Sequence, residues 1–160
     1  MTTSVYIHIP FCEHLCTYCD FAKMYYDEKR TKEYLDALLL EIKANYQNER
    51  IKTLYIGGGT PSSLSYTNLE RLMQIIRIFK LDASCEFTFE VNPENIDIEK
   101  LLLLKKHGVT RISIGVESTQ DKFLKYLGRH HNFSLVKEKI NLIKKVGFSN
   151  INVDLTNEKL

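Results

Sequence analysis

The sequence has 160 residues, with 22 Lys plus Arg against 20 Asp plus Glu, so its net charge is +2. This balance excludes a nucleic-acid binder that works through a bulk positive field. A hydrophobic share of 44% and a charged share of 26% exclude wholesale disorder. No apolar run approaches the roughly 18 residues of a membrane helix, and the N-terminus lacks the pattern of a secretory signal. We therefore expect a cytoplasmic protein with no transmembrane segment.

Strand-like and helix-like segments alternate along the chain. Short β-branched and apolar runs predict strands, and apolar residues at helical spacing predict helices. The predicted strands cover residues 4–9, 52–57, 85–91, 109–116 and 150–155. The predicted helices cover residues 28–47, 66–80, 97–106, 119–127 and 134–146. No linker or low-complexity segment divides the chain, so we expect one domain.

This order of elements predicts an α/β fold with a parallel sheet and right-handed crossovers. Five strands can form an open sheet or part of a barrel, since a complete eight-unit barrel needs about 250 residues. In either architecture, the side chains that do chemistry gather at the C-terminal ends of the strands.

Three of the four cysteines, Cys12, Cys16 and Cys19, lie within eight positions just after the first predicted strand. A loop this tight can bring three thiolates around one centre, and soft thiolates favour an iron–sulfur cluster or zinc. Three cysteines leave one iron of a cluster open to a substrate. The fourth cysteine, Cys85, is expected to be a buried small side chain. The alternative zinc site needs a histidine, with candidates His8, His14, His107, His130 and His131.

The sequence around these cysteines resembles a known family. The segment YIHIPFCEHLCTYCDF resembles the opening of the radical S-adenosylmethionine (SAM) superfamily, in the branch of oxygen-independent coproporphyrinogen III oxidases and their relatives. The later segments IGGGTPSSL, FEVNP, RISIGVES, LGRHH and NINVDL follow in that branch's order. The likeness implies a partial (β/α) barrel of the TIM type, the radical SAM core.

One sequence difference separates two groups of proteins within this branch. The oxidases carry an extra cysteine just after the third one, whereas here Cys19 is followed by Asp20 and Phe21. The segment CDF resembles the corresponding segment of the HemW-type haem chaperones, which form the other group. The resemblance therefore implies a haem-chaperone role, with haem and a haem acceptor protein as partners. Oxidase activity in porphyrin biosynthesis is the alternative.

The resemblance also implies the cofactors. It assigns a 4Fe–4S cluster to Cys12, Cys16 and Cys19, with SAM at the open iron and an electron donor as a partner. In the family, the reduced cluster passes one electron to SAM, and the resulting radical abstracts hydrogen from a substrate. The protein supplies position and a dry pocket. The resemblance assigns cofactor contacts to Tyr6, Tyr18, Gly58, Gly59, Thr60, Glu90, Glu117, Arg129 and Asp154.

Each assigned contact suits a group of SAM. Residues 58–60 end the second strand, where glycine lets the backbone approach the ligand amine closely. Glu90 near the end of the third strand is a second partner for that amine. The guanidinium fork of Arg129 suits the ligand carboxylate.

The remaining contacts concern the nucleoside. Glu117 stands where the family usually has Gln, and its carboxylate can still accept a hydrogen bond from a ribose hydroxyl. Asp154 matches the second ribose contact, and Tyr18 matches an aromatic residue near the adenine. Tyr6 matches a tyrosine near the cluster on the first strand.

Members of this family continue beyond the last of these motifs with a further strand and a C-terminal domain. This sequence ends five residues after the predicted strand at 150–155. We therefore expect residues 1–160 to form the N-terminal part of a radical SAM core domain, without the region that closes the substrate pocket. An inactive cluster-binding fragment is a further alternative.

Overall fold

The computed structural model describes residues 3–16 and 18–156, so the final four residues of the polar C-terminal end lie outside the described part. The strands are β1 (Ser4–Ile9), β2 (Phe11–Cys12), β3 (Met24–Tyr25), β4 (Arg50–Gly58), β5 (Lys80–Val91), β6 (Arg111–Glu117) and β7 (Asn150–Leu155). The α-helices are α1 (Glu28–Asn45), α2 (Tyr66–Ile76), α3 (Ile98–Lys106), α4 (Asp121–Tyr126) and α5 (Phe133–Val146).

Five of the strands form one parallel sheet in the order β1-β4-β5-β6-β7. Helices α1, α2 and α3 each connect two successive strands of this sheet, and α4 and α5 connect β6 to β7. Strands β1 and β7 are the two edges, as in an arc of a barrel. The predicted parallel α/β fold with five strands is confirmed.

The strands have one apolar and one polar face, because successive side chains point to opposite sides. Ile7 and Ile9 of β1 and Phe87 and Phe89 of β5 are buried in the core. The opposite face carries polar side chains, among them Tyr55, Thr88, Ser113 and Asp154. All five strands run in the same direction, so their C-terminal ends meet at one edge of the sheet.

A short second ladder closes the cysteine loop, a feature that the sequence did not predict. Strands β2 and β3 pair in parallel, and the Tyr26 amide donates to the Cys12 carbonyl at 2.8 Å. Inside the loop, Lys23 Nζ donates to the carbonyls of Cys16 and Cys19. The loop is therefore fixed both at its base and in its middle.

The second helix and the third strand of the main sheet differ from their predicted bounds. Helix α2 ends at Ile76 rather than at residue 80, because the next amides bond to carbonyls three residues back, as in Phe79 to Ile76. Phe79 is nevertheless buried, so the apolar pattern continues past the helix. Strand β5 begins at Lys80, five residues before its predicted start, because Lys80 and Leu81 pair with the start of β4.

The helix ends follow local chemistry. The Ser65 side chain accepts a hydrogen bond from the Asn68 amide and caps α2, as serine does at this position. Gly147 ends α5 with a φ of 97°, a left-handed conformation that glycine adopts without strain. Among the residues that the structure describes, no helix has both the length and the apolar character needed to cross a membrane.

Candidate functional site

A cavity of about 390 Å³ opens at the C-terminal ends of the strands. Its walls come from the cysteine loop, from the ends of β4, β5, β6 and β7, and from the segment after α4. The predicted contact residues that line it are Tyr18, Cys19, Gly58, Gly59, Thr60, Glu90, Glu117, Arg129 and Asp154. Most of the candidate site that the sequence predicted therefore meets at one place.

The other two cysteines lie beside this cavity. Cys12 is buried against Gly59, where an added Cβ would lie 2.9 Å from the Cys12 Sγ atom. Cys16 is half-buried and lines a small adjoining pocket. Burial is the main cause of the raised pKa of the Cys12 thiol, and the charges of Cys19 and Cys16 raise it further. Cys16 and Cys19 therefore lie close enough to Cys12 to affect its thiol.

The donor set fits an iron–sulfur cluster. The cysteines carry free thiols, and a glycine at position 59 leaves room next to Cys12. In the described ranges 3–16 and 18–156, no three His, Cys, Asp or Glu side chains are gathered as ligands of one metal ion. A cluster needs a wider arrangement than a single ion, because each cysteine binds a different iron atom.

The carboxylate of Glu90 is held by two donors from β4. Tyr55 Oη donates to Oε1 at 2.6 Å, and the Gly58 amide donates to Oε2 at 3.0 Å. An added Cβ at Gly57 would lie 2.6 Å from the carboxylate carbon, so only glycine leaves space for this arrangement. Burial raises the pKa of Glu90, although both hydrogen bonds oppose that rise.

Arg129 is a buried cation in the cavity wall, with 9% of its side chain exposed. Its Nη2 atom forms an ion pair with Glu117 Oε1. Its Nη1 donates to Asn92 Oδ1 at 3.2 Å, and its Nε donates to Tyr18 Oη at 3.0 Å. Partners on three sides therefore fix the plane of the guanidinium.

The backbone of Glu117 is unusual. Its φ is 67°, in the left-handed region that residues with a Cβ rarely adopt. The second carboxylate oxygen of Glu117 accepts a hydrogen bond from the Thr156 hydroxyl. The strained backbone thus coincides with a side chain that joins Arg129 to the segment after β7.

Asp154 lies on β7 next to β6. Ser113 Oγ donates to Asp154 Oδ2 at 2.8 Å, and Asn152 Nδ2 donates to Asp154 Oδ1 at 2.6 Å. The side chain is exposed, so it is oriented by its neighbours and still open to a ligand.

Tyr6 lies apart from the other predicted contacts. It is not among the described residues that line the cavity, and 56% of it is exposed. Its hydroxyl lies 3.0 Å from His8 Nδ1, and its ring centroid lies 5.9 Å from that of Tyr55. Tyr6 therefore lies outside the cavity lining, in contact with the ring of Tyr55, whose hydroxyl donates to Glu90.

Asn92 is a site residue that the sequence reasoning missed. Its Nδ2 donates to Thr60 Oγ1 at 3.2 Å, and Thr60 Oγ1 lies 3.4 Å from Cys12 Sγ. Because its Oδ1 accepts from Arg129, Asn92 joins the cysteines to the guanidinium by hydrogen bonds. Its place directly after β5, in the segment FEVNP, was the signal available in the sequence. Other cavity residues not predicted include Tyr55, Ser113 and Thr156.

The two consecutive histidines have different surroundings. His130 is exposed, and its ring stacks on that of His14 in the cysteine loop with centroids 3.8 Å apart. The His131 side chain is fully buried, and both of its ring nitrogens have hydrogen-bond partners. Cys85 is buried in the core, as predicted.

Comparisons with known proteins agree with this geometry. The chain is 43% identical over 157 residues to "Heme chaperone HemW" of Bacillus subtilis, covering 95% of this chain and 41% of that protein. It is 32% identical to "Oxygen-independent coproporphyrinogen III oxidase" of Escherichia coli, covering 95% and 34%. The chain thus spans between about a third and two fifths of the length of the curated relatives that it matches.

The fold is also similar to a solved structure. The chain superimposes on the coproporphyrinogen III oxidase HemN of Escherichia coli, described as a radical SAM enzyme, with a TM-score of 0.87 and 32% identity. The superposition covers 95% of this chain and 36% of that one. The sequence matches the family described as the Radical SAM superfamily over residues 6–157. The chain belongs to the radical SAM superfamily.

Proposed function

We propose that the chain binds a 4Fe–4S cluster through Cys12, Cys16 and Cys19 and binds SAM in the adjoining cavity. The observation that supports this most is the cavity itself, where the cysteine loop meets the polar ends of four parallel strands. When bound, the reduced cluster supplies one electron for the reductive cleavage of SAM. The protein's part is to bind, orient and shield the ligand.

The side chains of the cavity match the groups of SAM. Arg129 binds the ligand carboxylate through its planar fork, whose orientation is fixed by Asn92 and Glu117. Glu90 accepts from the ligand amine next to Gly58.

The ribose and the adenine have their own partners in this proposal. Asp154 and Glu117 accept from the ribose hydroxyls, because a carboxylate offers several acceptor positions. Tyr18, whose hydroxyl is tied to Arg129, lies beside the adenine.

For the physiological role, we propose a haem chaperone, with haem, a haem acceptor protein and an electron donor as partners in the cytoplasm. Five relatives named "Heme chaperone HemW" are 34–43% identical to this chain, against 31–32% for three oxidases. Phe21 occupies the position of the extra cysteine that the resemblance assigns to the oxidases. Its side chain is exposed.

Oxidation of coproporphyrinogen III is the second candidate, and the structural similarity to HemN, with a TM-score of 0.87, favours it. Anaerobic incubation of the reconstituted protein with coproporphyrinogen III, SAM and a reductant tests it. Formation of protoporphyrinogen would support the oxidase, and its absence together with haem binding would support the chaperone.

The first experiment concerns the cofactors. The protein is reconstituted anaerobically with iron and sulfide, and electron paramagnetic resonance spectra of the reduced form are recorded with and without SAM. We expect a 4Fe–4S signal that changes when SAM is added. A protein without a cluster, or a signal indifferent to SAM, would refute the proposal.

The four cysteines provide a matched control. Replacement of Cys12, Cys16 and Cys19 by Ala should abolish the bound iron, whereas Cys85→Ala should leave it unchanged, since Cys85 is buried in the core. Equal iron in all variants would contradict the assignment of the ligands. Slow formation of 5′-deoxyadenosine from SAM would exclude an inert fragment.

A further inference from the structure

The buried imidazole of His131 is held between two oxygen atoms. Its Nε2 lies 3.1 Å from the carbonyl oxygen of Val116, which can only accept, so Nε2 carries a proton. Its Nδ1 lies 3.1 Å from Glu94 Oε2. Burial raises the pKa of Glu94, yet the hydrogen bond from His131 lowers it below its ordinary value. Each ring nitrogen of His131 is therefore hydrogen-bonded to an oxygen on a different segment of the chain.

The two residues that contact this imidazole, Glu94 and Val116, are close in sequence to two residues that contact the Arg129 guanidinium. Glu94 lies two residues after Asn92, which accepts from Arg129 Nη1. Val116 directly precedes Glu117, which pairs with Arg129 Nη2. The imidazole thus bridges the turn after β5 and the end of β6, which are two of the three segments that orient the guanidinium.

We propose that His131 is a positioning residue for the SAM site, which holds two of the three acceptors of Arg129, Asn92 and Glu117, at a fixed separation. This inference rests on the proposed function, because it concerns the role of Arg129 in binding the ligand carboxylate. His131 is not among the described residues that line the cavity, and it lies outside the cysteine loop.

The chemistry of the position argues against a purely space-filling role. A buried polar side chain is costly unless it is hydrogen-bonded, and an apolar side chain would fill the same space without that cost. The imidazole provides two directed hydrogen bonds to separate segments, which an apolar side chain lacks. The adjacent His130 is exposed, so burial is specific to position 131.

The test compares three variants with the wild-type protein after anaerobic reconstitution. His131→Ala removes both hydrogen bonds. The double variant Glu94→Gln with His131→Gln replaces the hydrogen-bonded His131–Glu94 pair by an amide pair that can form both bonds. Ile143→Ala is the control, because Ile143 is buried in α5, the helix that follows His131, and does not line the cavity. Bound iron, the dissociation constant for SAM, and kcat and KM for SAM cleavage are measured.

We expect His131→Ala to retain its iron and to bind SAM roughly tenfold more weakly, because a misplaced guanidinium loses its alignment with the carboxylate. KM should rise more than kcat falls. The double variant should bind more tightly than His131→Ala, and Ile143→Ala should keep the wild-type affinity.

Four results would overturn the inference. The first two are a His131→Ala variant that binds SAM as tightly as the wild type, and an Ile143→Ala variant whose SAM affinity falls as much as that of His131→Ala. The other two are loss of iron from His131→Ala, and a double variant that binds SAM no more tightly than His131→Ala. A wild-type protein that binds no SAM would overturn the proposed function and this inference together. Wild-type binding with an unaffected His131→Ala variant would overturn this inference alone.

Discussion

The close contact between Gly57 and Glu90 makes Gly57→Ala an informative perturbation. The backbone at Gly57 lies outside the left-handed region, so alanine brings no conformational strain there. The added Cβ would meet the carboxylate carbon of Glu90 at 2.6 Å and both of its oxygens at 2.7 Å. Because Glu90 is tied to Tyr55 and Gly58, the carboxylate cannot move away without losing those bonds.

The size of the effect follows from these distances. An ordinary contact begins at 3.4 Å, so the carboxylate must retreat by about 0.8 Å. Hydrogen bonds to a charged group contribute about 1.5–3 kcal/mol each, and a partial retreat weakens two of them. Replacement of glycine by alanine also stabilises the fold by about 0.4–1 kcal/mol, because it reduces the conformational entropy of the unfolded chain. We expect the free energy of unfolding to fall by about 2 kcal/mol.

Urea unfolding of the apoprotein measures this loss, and a double-mutant cycle with Glu90→Ala identifies its cause. Once the Glu90 carboxylate is gone, Gly57→Ala meets no obstacle and should be neutral or slightly stabilising. A coupling energy of about 2 kcal/mol between the two substitutions is expected. The reasoning would be refuted if Gly57→Ala were as stable as the wild type, or if its loss were the same in both backgrounds.

Three further predictions concern the core, the pH dependence and the ligand. Leu35→Ala should lower the free energy of unfolding by about 2–5 kcal/mol, whereas Leu40→Ala on the same helix should change it little, because 0% of Leu35 and 68% of Leu40 is exposed; equal losses on urea unfolding would contradict this. The pKa of Glu94 is lowered from 4.5, so its stabilising effect is present above pH 4.5 and is lost as the pH falls through the folded-state pKa. In Glu94→Gln, the free energy of unfolding should therefore depend less on pH below pH 4.5 than it does in the wild type. Parallel curves of stability against pH for the two proteins would count against this. Arg129→Lys should weaken SAM binding roughly tenfold without loss of iron, because lysine lacks the bidentate fork; unchanged affinity in equilibrium dialysis would disprove it.

The regular part of the fold could be predicted because it depends on local patterns. Alternation and helical spacing indicated all five strands of the main sheet and the connecting helices. The bounds that failed depend on partners distant in sequence. Lys80 belongs to β5 because it pairs with Arg50, and nothing local indicates that pairing. Strands β2 and β3, at two residues each, are too short to leave a pattern.

The candidate site shows the same division. Glycines and cysteines at characteristic spacing can be found in a sequence, because their chemistry is unusual at any position. Asn92 could not be singled out, since its role consists of contacts with Thr60 and Arg129, which lie 32 and 37 residues away. The burial of His131 beside the exposed His130 is likewise decided by packing.

The balance of charge in the cavity has a consequence for the proposed binding of SAM. Three carboxylates, those of Glu90, Glu117 and Asp154, face one guanidinium, that of Arg129, among the described residues of the lining. Such an excess of negative charge attracts a cationic ligand and does so most strongly at low ionic strength. SAM carries a sulfonium, whereas the fragments of its reductive cleavage are methionine, a neutral thioether, and 5′-deoxyadenosine, which has no sulfur. The carboxylates that draw the intact molecule into the proposed site would therefore hold the spent fragments less firmly, which favours their departure.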